Sequence, residues 1–485
     1  MSLGLVGILL GLGVLVWLSF RGWSVLVLAP VAAMIAAAAA QEPLLANWTI
    51  TFMGAAASFI LQFFPLFLLG AVFGKLMEDS GSVAAIARWM TDSLGPKRAM
   101  LAVVLAGTAV TYGGVSLFVA FFVLVPMGQA LFRAADIPNR LMPAAIALGT
   151  MTFTMSSLPG TPAIQNAIPM PFFGTTPFAA PGLGIIASAV MLAFGLWWLA
   201  RAEHAARRAG EGFGAALPAP GTAAGDPPFR ERATTASAFD PAEIPRGHQS
   251  TEAPGAFVAA LPLIVVVAVN LVASLLVLPR LDLDFLWSER WGGAGAASVT
   301  GVWSVLLALV IAIVTLVAIN RRRLPALRDT VDAGATASVL PVLSVASLVG
   351  FGAVVAAMPA FAVVRDWVLS IGGGPLVSLA LATNILAALT GSASGGLTIA
   401  LEALGGPFMQ MAAELAIDPA LMHRVAVIGA GTLDSLPHNG AVVTLLAVCG
   451  TTHKESYFDI VMVAIVGAIL GLVAVIVLGT MFGSF

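Results

Sequence analysis

The chain has 485 residues, of which 59% are hydrophobic and 9% are charged, and its formal net charge is −2. An ordinary soluble domain carries about 25% charged residues, so the composition excludes a soluble globular protein and predicts an all-α protein that crosses a membrane several times. The small net charge gives no basis for a nucleic-acid partner, and the single cysteine, Cys449, excludes an intrachain disulfide and a multi-cysteine metal site.

Apolar runs long enough to cross a bilayer, about 20 residues, recur along the chain. Eight of them are continuous, near 3–20, 22–40, 52–74, 182–200, 256–278, 299–319, 337–363 and 459–483. Four more are interrupted by glycine, proline or polar residues, at 98–132, 141–173, 374–411 and 422–449. The first run lacks a basic leader and a cleavage site, so we read it as a retained span.

Residues 202–254 differ in composition from the rest of the chain. They hold 12 of its 46 Asp, Glu, Lys and Arg residues, together with many Ala, Gly and Pro. Such a segment cannot bury enough apolar surface to fold alone. It is predicted to be a flexible cytoplasmic linker between two halves, residues 1–201 and 255–485. The alternative is a regulatory or partner-binding loop.

The topology follows from treating 98–132 and 374–411 as re-entrant hairpins. Each half then has five full spans, and because five is odd the second half is inserted upside down. With both termini on the periplasmic side of a bacterial inner membrane, all but four of the 22 Lys and Arg residues lie inside, as the positive-inside rule expects. The exceptions are Arg280, Arg290, Arg365 and Arg424. We therefore predict two inverted repeats, with about ten full spans and two hairpins.

One motif occurs in both halves. Residues 154–164 read TMSSLPGTPAI, and residues 432–442 read TLDSLPHNGAV. Glycine and proline in a membrane helix leave backbone groups without helical partners, and such a break is tolerated only where it lines a protein-enclosed cavity. Two breaks at matching places indicate the binding site of a transporter.

Helical residues are expected to resume after four interruptions: after Gly113-Gly114, after Pro159 to Pro162, after Gly395-Gly396 and after His438 to Gly440. Each new helix start carries free N–H groups and roughly half a positive charge. If the four interruptions meet, they form a cradle for an anion. For the glycine pairs the alternative is close helix packing, and each hydroxyl considered alone could instead bond back to its own helix.

The predicted substrate-binding residues are those at or beside the interruptions. They are Thr111, Tyr112, Gly113, Gly114, Ser116, Ser157, Gly160, Thr161, Gln165, Asn166, Ser392, Ser394, Gly395, Gly396, Asn439 and Gly440. Hydroxyls and amides of this kind suit a small carboxylate that bears hydroxyl groups. No Lys or Arg is expected deep in the membrane, so dipoles and hydroxyls would hold the carboxylate without a fixed cation.

Asp434 and His438 are the ionisable pair expected within a span. An ionisable group inside a membrane is costly and usually functional, which predicts proton coupling through His438 with Asp434 as its partner. The alternative is that His438 caps the resumed helix and Asp434 bonds a local backbone group. Sodium is the alternative coupling ion, and we expect no other cofactor and no bound metal.

Motifs of catalysis are missing from the sequence. It has no zinc-binding HExxH, no GxSxG nucleophile turn and no phosphate-binding GxxxxGK loop. An ion gradient therefore supplies the energy, and the expected protein is a transporter. A membrane-embedded enzyme is the alternative from another class.

Two stretches carry a family resemblance. GTMTFT at 149–154 with LPGTPAIQN at 158–166, and LPHNGAVVTLL at 436–446 with THKESY at 452–457, resemble the gluconate permease family. The resemblance covers most of the chain outside the linker, and the second stretch is most similar to D-beta-hydroxybutyrate permeases. It implies proton-coupled uptake of small hydroxycarboxylates. The wider superfamily implies inverted repeats, two re-entrant hairpins and a homodimer that works by an elevator motion. The linker is unusually long for the family.

Overall fold

The structure is a computed structural model that describes residues 3–19, 23–214, 250, 252–291, 295–437 and 439–485. Within these residues every regular element is a helix. Most of the predicted linker and His438 lie outside the described residues, so the expectations for them stay predictions.

The first half contains eleven helices in the described residues. They are α1 Leu3–Ser19, α2 Val25–Ala39, α3 Leu44–Asp79, α4 Ser82–Leu94, α5 Ala99–Tyr112, α6 Leu117–Ala134, α7 Met142–Thr150, α8 Phe153–Ser156, α9 Ile164–Ala167, α10 Pro169–Phe173 and α11 Pro181–Arg208. The last of these continues to Arg208, past residue 201 where the linker was expected to begin, and the division into two halves stays a prediction.

The second half contains nine helices in the described residues. They are α12 Ala256–Arg280, α13 Ala296–Asn320, α14 Leu327–Ala357, α15 Phe361–Leu369, α16 Pro375–Thr390, α17 Ala393–Glu414, α18 Pro419–Ala430, α19 Gly440–Cys449 and α20 His453–Phe482. Six helices of the described chain, α3, α11, α12, α13, α14 and α20, are long and apolar enough to cross a membrane. The expected all-helical integral membrane protein is confirmed.

The two halves follow the same order of elements. In each, two apolar helices precede a long helix, a short helix, a hairpin, a broken span and a final long helix. Helices in equivalent places pair across the halves: α3 packs against α14, and α11 packs against α20. In addition, α14 packs against α17 of the second hairpin, and α11 packs against α7 and α8 of the first broken span.

The hairpins turn where glycine permits a left-handed backbone. Between α5 and α6 the turn includes Gly114, with φ of +91°, and between α16 and α17 it includes Gly391, with φ of +63°. The expected helix start after Gly395-Gly396 is wrong, because Ser392 caps α17 and its hydroxyl oxygen accepts the N–H of Gly395. The second turn is therefore shorter than predicted.

The broken spans are interrupted over more residues than the sequence indicated. The first break, residues 151–163, contains only the single helical turn of α8 between α7 and α9. The second break, residues 431–439, separates α18 from α19. Pro159 and Pro162 lack backbone N–H donors, and Gly160 has a φ of +81°, so the first break cannot continue as a helix.

Candidate functional site

Each hairpin tip lies against the break of its own half. A Cβ added to Gly114 would lie 2.7 Å from Pro162 Cγ, so the tip of the first hairpin approaches the first break as closely as a glycine allows. In the second half the Asn439 amide donates to the carbonyl oxygen of Gly391 at 2.9 Å. Each half thus brings its hairpin tip and its break together.

A cavity of about 70 Å³, the central cavity, lies where the four interruptions meet. Its walls come from both hairpins and both broken spans. They are Leu117, Met151, Met155, Gln165, Gly391, Ser392, Ala393, Ser394, Asp434, Asn439 and Ala441. Of the predicted binding residues, the central cavity therefore contains Gln165, Ser392, Ser394 and Asn439, together with the predicted coupling residue Asp434.

A second cavity of about 200 Å³, the outer cavity, lies beside the first between α3, α14 and the first hairpin. Thr111, Gly114 and Ser116 contribute to its walls, and it shares Met155 and Gln165 with the central cavity. Lys75 lies on its wall too, paired with Glu78 at 3.1 Å and with Asp79 at 3.0 Å.

The side chain of Gln165 belongs to both cavities. Its carbonyl oxygen, Oε1, is buried and has no hydrogen-bond partner among the described residues. Leaving a buried acceptor unsatisfied costs about 1–3 kcal/mol. A ligand that donates a hydrogen bond would remove that cost.

The second break carries the carboxylate of the centre. Asp434 is partly buried on the wall of the central cavity, and the Ser435 hydroxyl donates to its Oδ1 at 3.2 Å. Asn439 caps α19, accepting from the N–H groups of Ala441 at 2.7 Å and Val442 at 3.4 Å. Tyr457 donates to the Ser435 carbonyl at 3.2 Å from the neighbouring helix.

The first break is held by side chains bonded to its backbone. Tyr112 donates to the Pro159 carbonyl at 2.7 Å, and Asn270 donates to the Gly160 carbonyl at 3.0 Å. Asn166 donates to the carbonyls of Thr161 and Pro177, each at 3.1 Å. Tyr112, Gly160 and Asn166 were predicted to contact the substrate, and here their polar groups hold the loop.

The other predicted residues have packing or local contacts. A Cβ on Gly113 would lie 2.1 Å from Leu263, and one on Gly395 would lie 2.4 Å from Leu348. Gly396 is packed as tightly on Ala387. These three glycines therefore allow close packing, which was the alternative to a role in substrate binding.

Hydroxyl and helix-start residues complete the predicted set. Ser157 donates to Met191 Sδ at 3.7 Å, and the Thr161 hydroxyl accepts from the N–H of Ala163 at 3.3 Å. Thr111 bonds back to the Gly107 carbonyl at 2.8 Å while lining the outer cavity. Gly440 is the first residue of α19. Their roles as ligand contacts stay predictions.

The structure places a buried cation next to the first break, which was not expected from the sequence. Arg424, assigned from the sequence to the outside, lies within α18 and is 0% exposed. It donates to the carbonyls of Ala179 at 2.7 and 3.2 Å and of Ser156 at 3.0 Å. The sequence contained one sign of this position: Arg424 is one of the four Lys and Arg residues that did not follow the positive-inside rule.

His423, the neighbour of Arg424, completes a buried polar network. Its Nδ1 lies 2.6 Å from the Thr175 hydroxyl and its Nε2 lies 3.2 Å from Asn166 Oδ1. Arg424 Nη1 reaches the same Asn166 oxygen at 3.4 Å. Within the described residues, no group of three His, Cys, Asp or Glu side chains is arranged to hold a metal ion.

Comparisons relate the chain to known transporters. A family model described as citrate transporter (CitMHS) matches residues 14–289. The uncharacterized transporter YxjC of Bacillus subtilis (strain 168) is 39% identical over 480 residues, covering 97% of this chain and 98% of its own. A solved structure of MtrF from Neisseria gonorrhoeae, described as illuminating a class of antimetabolite efflux pumps, matches with a TM-score of 0.52 and 15% identity. That match covers 91% of this chain and 85% of the MtrF chain, and at such low identity it shows a shared fold alone.

Proposed function

The chain belongs to the citrate transporter (CitMHS) family, and from this premise we propose that it is a secondary transporter that takes a small hydroxycarboxylate into the cell across the bacterial inner membrane, with a proton as the coupling ion. The observation that carries the proposal is the central cavity, where residues from both hairpins and both broken spans come together.

Three helix N-termini favour an anion in this cavity. Leu117 begins α6, Ala393 begins α17 and Ala441 is the second residue of α19, and all three lie on the cavity wall. The N-terminus of a helix carries roughly half a positive charge, and this charge remains where Ser392 and Asn439 cap the N–H groups of α17 and α19. A carboxylate placed here would be stabilised by these helix starts.

The size of the cavity favours a small acid. The volume of about 70 Å³ exceeds the about 10–15 Å³ that one water needs and leaves no room for a large ligand. The candidate is the small acid 3-hydroxybutyrate. Its carboxylate would face the helix starts, and its hydroxyl would donate to the unpartnered Oε1 of Gln165.

Citrate is a second candidate because the outer cavity adjoins the first. The two cavities share Met155 and Gln165, and Lys75 lies on the wall of the outer one. A larger acid could therefore extend from the helix starts towards Lys75. The family description also names citrate.

Asp434 is the proposed site of proton coupling, because its carboxylate lies on the wall of the central cavity. His438 remains its predicted partner. Sodium remains the alternative ion, since the Gln165, Ser392 and Ser394 oxygens on the same wall are of the type that binds it.

The repeated order of elements supports two inverted repeats. We propose that the hairpins and broken spans move together as the transport unit of an elevator, with the remaining helices as scaffold and homodimer interface.

Reconstitution into liposomes tests the function. Adding 3-hydroxybutyrate, gluconate or citrate on one side should dissipate an imposed pH gradient, and His438→Gln should remove the pH dependence of uptake. Failure of all three acids would remove the substrate proposal, and uptake that follows sodium instead of pH would replace the proton. Recovery of a chemically altered product inside the vesicles would favour an enzyme.

A further inference from the structure

We propose that Arg424 is a positioning residue that supplies the fixed positive charge for the substrate carboxylate, a role that rests on the proposed function. The guanidinium lies behind the wall of the central cavity, where it holds the first break in place. In this role Arg424 does more than form hydrogen bonds, because recognition of the acid then depends on its buried charge.

The environment of Arg424 satisfies its hydrogen bonds and leaves its charge uncompensated. Its acceptors are neutral oxygens, from the Ala179 and Ser156 carbonyls and the Asn166 amide. No ion pair of Arg424 with a carboxylate occurs within 4.0 Å among the residues that the structure describes. A guanidinium stays protonated in proteins, and an unpaired buried charge is costly. A ligand anion nearby would offset that cost.

The position of Arg424 connects it to the cavity wall on both sides of the first break. Ser156 and Asn166, which accept from its Nη1, are the chain neighbours of Met155 and Gln165. Met155 and Gln165 line the central cavity. The guanidinium thus bonds the chain neighbours of two wall residues, and in the low-dielectric protein interior Coulomb interactions are stronger than in water.

The fold provides space for the guanidinium. A Cβ added to Gly184 on α11 would lie 3.3 Å from Arg424 Nε and 2.4 Å from the Ser157 carbonyl oxygen. The charged group therefore lies between α11 and the first break, in a space that a larger residue would fill. Structural anchoring alone is the competing explanation, so the test has to separate charge from anchoring.

The test compares an acid with its uncharged analogue. In proteoliposomes, 3-hydroxybutyrate and 3-hydroxybutyramide are compared by competition and by uptake in wild type, Arg424→Lys, Arg424→Gln and Arg424→Met. Because every variant also loses anchoring bonds to the first break, the charge-free variants should weaken the acid at least about tenfold more than the amide. Arg424→Lys keeps the charge and loses the planar fork, so it should retain most of the preference for the acid.

Asn270→Ala is the matched control, because it removes an uncharged support of the same break. It should weaken acid and amide to the same extent. Arg424→Met replaces the glutamine variant if that one does not fold. If wild type prefers the acid and the charge-free variants prefer it equally, the role of Arg424 is overturned and the proposed function is not. A wild type that binds none of 3-hydroxybutyrate, gluconate and citrate overturns the proposed function and this role with it.

Discussion

The first and second breaks occupy matching places in the two halves, yet different chemistry surrounds them. The first break is bonded by Tyr112, Asn166 and Asn270 and lies against the buried cation Arg424. The second break carries the carboxylate of Asp434 on the cavity wall. The first half thus contributes a fixed loop, and the second half contributes both the buried cation that lies against that loop and the ionisable acid.

The two breaks also have features in common. The chain has two tyrosines, and each donates to a break carbonyl, Tyr112 to Pro159 and Tyr457 to Ser435. Each hairpin tip lies against its own break, through Gly114 in the first half and Gly391 in the second. Both breaks thus have a tyrosine bond and a hairpin tip as support, so the difference between them lies in their other side chains.

The largest expected effect comes from removing the charge of Asp434 in the second break. Asp434→Asn should reduce proton-driven accumulation in liposomes to the level of liposomes without protein, because no carboxylate remains to take up the coupling proton. Exchange of labelled for unlabelled substrate, which needs no net proton movement, should persist. Asp434→Glu is the control and should keep part of the accumulation. Normal accumulation by the asparagine variant would assign coupling elsewhere.

The tip of the first hairpin is the next most sensitive position. Gly114→Ala places a methyl group 2.7 Å from Pro162 Cγ at a φ of +91°, so it should destabilise the protein by about 2–4 kcal/mol. Thermal melting in detergent measures the change. Gly70→Ala is the matched control, since Gly70 also lines the outer cavity and has no atom within 4 Å of an added Cβ. Equal melting temperatures for the two variants would contradict the close approach.

The tyrosine pair compares the two breaks directly. Tyr112→Phe and Tyr457→Phe each remove one hydroxyl donor, and each should cost about 1 kcal/mol of stability. Tyr112→Phe should leave substrate affinity nearly unchanged because Asn166 and Asn270 still hold the first break. Tyr457→Phe should alter affinity more, since Ser435 adjoins Asp434. A larger change in substrate affinity for Tyr112→Phe than for Tyr457→Phe would mean that the first break is held less firmly than the second.

The smallest expected effect is at an ion pair beside the first broken span. Arg140 donates to both carboxylate oxygens of Glu211, at 2.7 and 3.0 Å, and this bond holds the pKa of Glu211 below its usual 4.5. A lowered pKa in the folded state stabilises the protein above pH 4.5, and the stabilisation is lost as the pH falls through the folded value.

Glu211 is substantially exposed, so Glu211→Gln should cost less than about 1 kcal/mol at pH 7. The difference from wild type should shrink below pH 4, which melting curves across pH 3–7 would detect. A difference that grows in acid would contradict the assigned direction.

The helices and the breaks could be predicted because apolar length and the positions of Gly and Pro are local properties of the sequence. Arg424 could not, because its acceptors Ser156 and Ala179 are more than 240 residues away in the chain. The start of α17 was misplaced because the cap at Ser392 decided it and the glycine pair did not.

The two short motifs and the comparison over the full chain indicate different transporter families. The motifs around residues 158–166 and 436–446 resemble gluconate permeases, whereas the whole chain belongs to the citrate transporter family. Motifs at backbone breaks can therefore resemble one family in a chain that belongs to another. We expect substrate choice to depend on side chains such as Gln165 on the wall of the central cavity.

The most direct test of the central cavity asks whether one ligand protects both halves at once. Gln165→Cys and Ser394→Cys, each introduced in a Cys449→Ala background, would be labelled with a small maleimide with and without saturating acid. The account predicts that 3-hydroxybutyrate or citrate slows labelling at both positions to a similar degree and at the same half-saturating concentration. Protection of only one position, or different concentrations for the two, would contradict a single carboxylate site built from both halves.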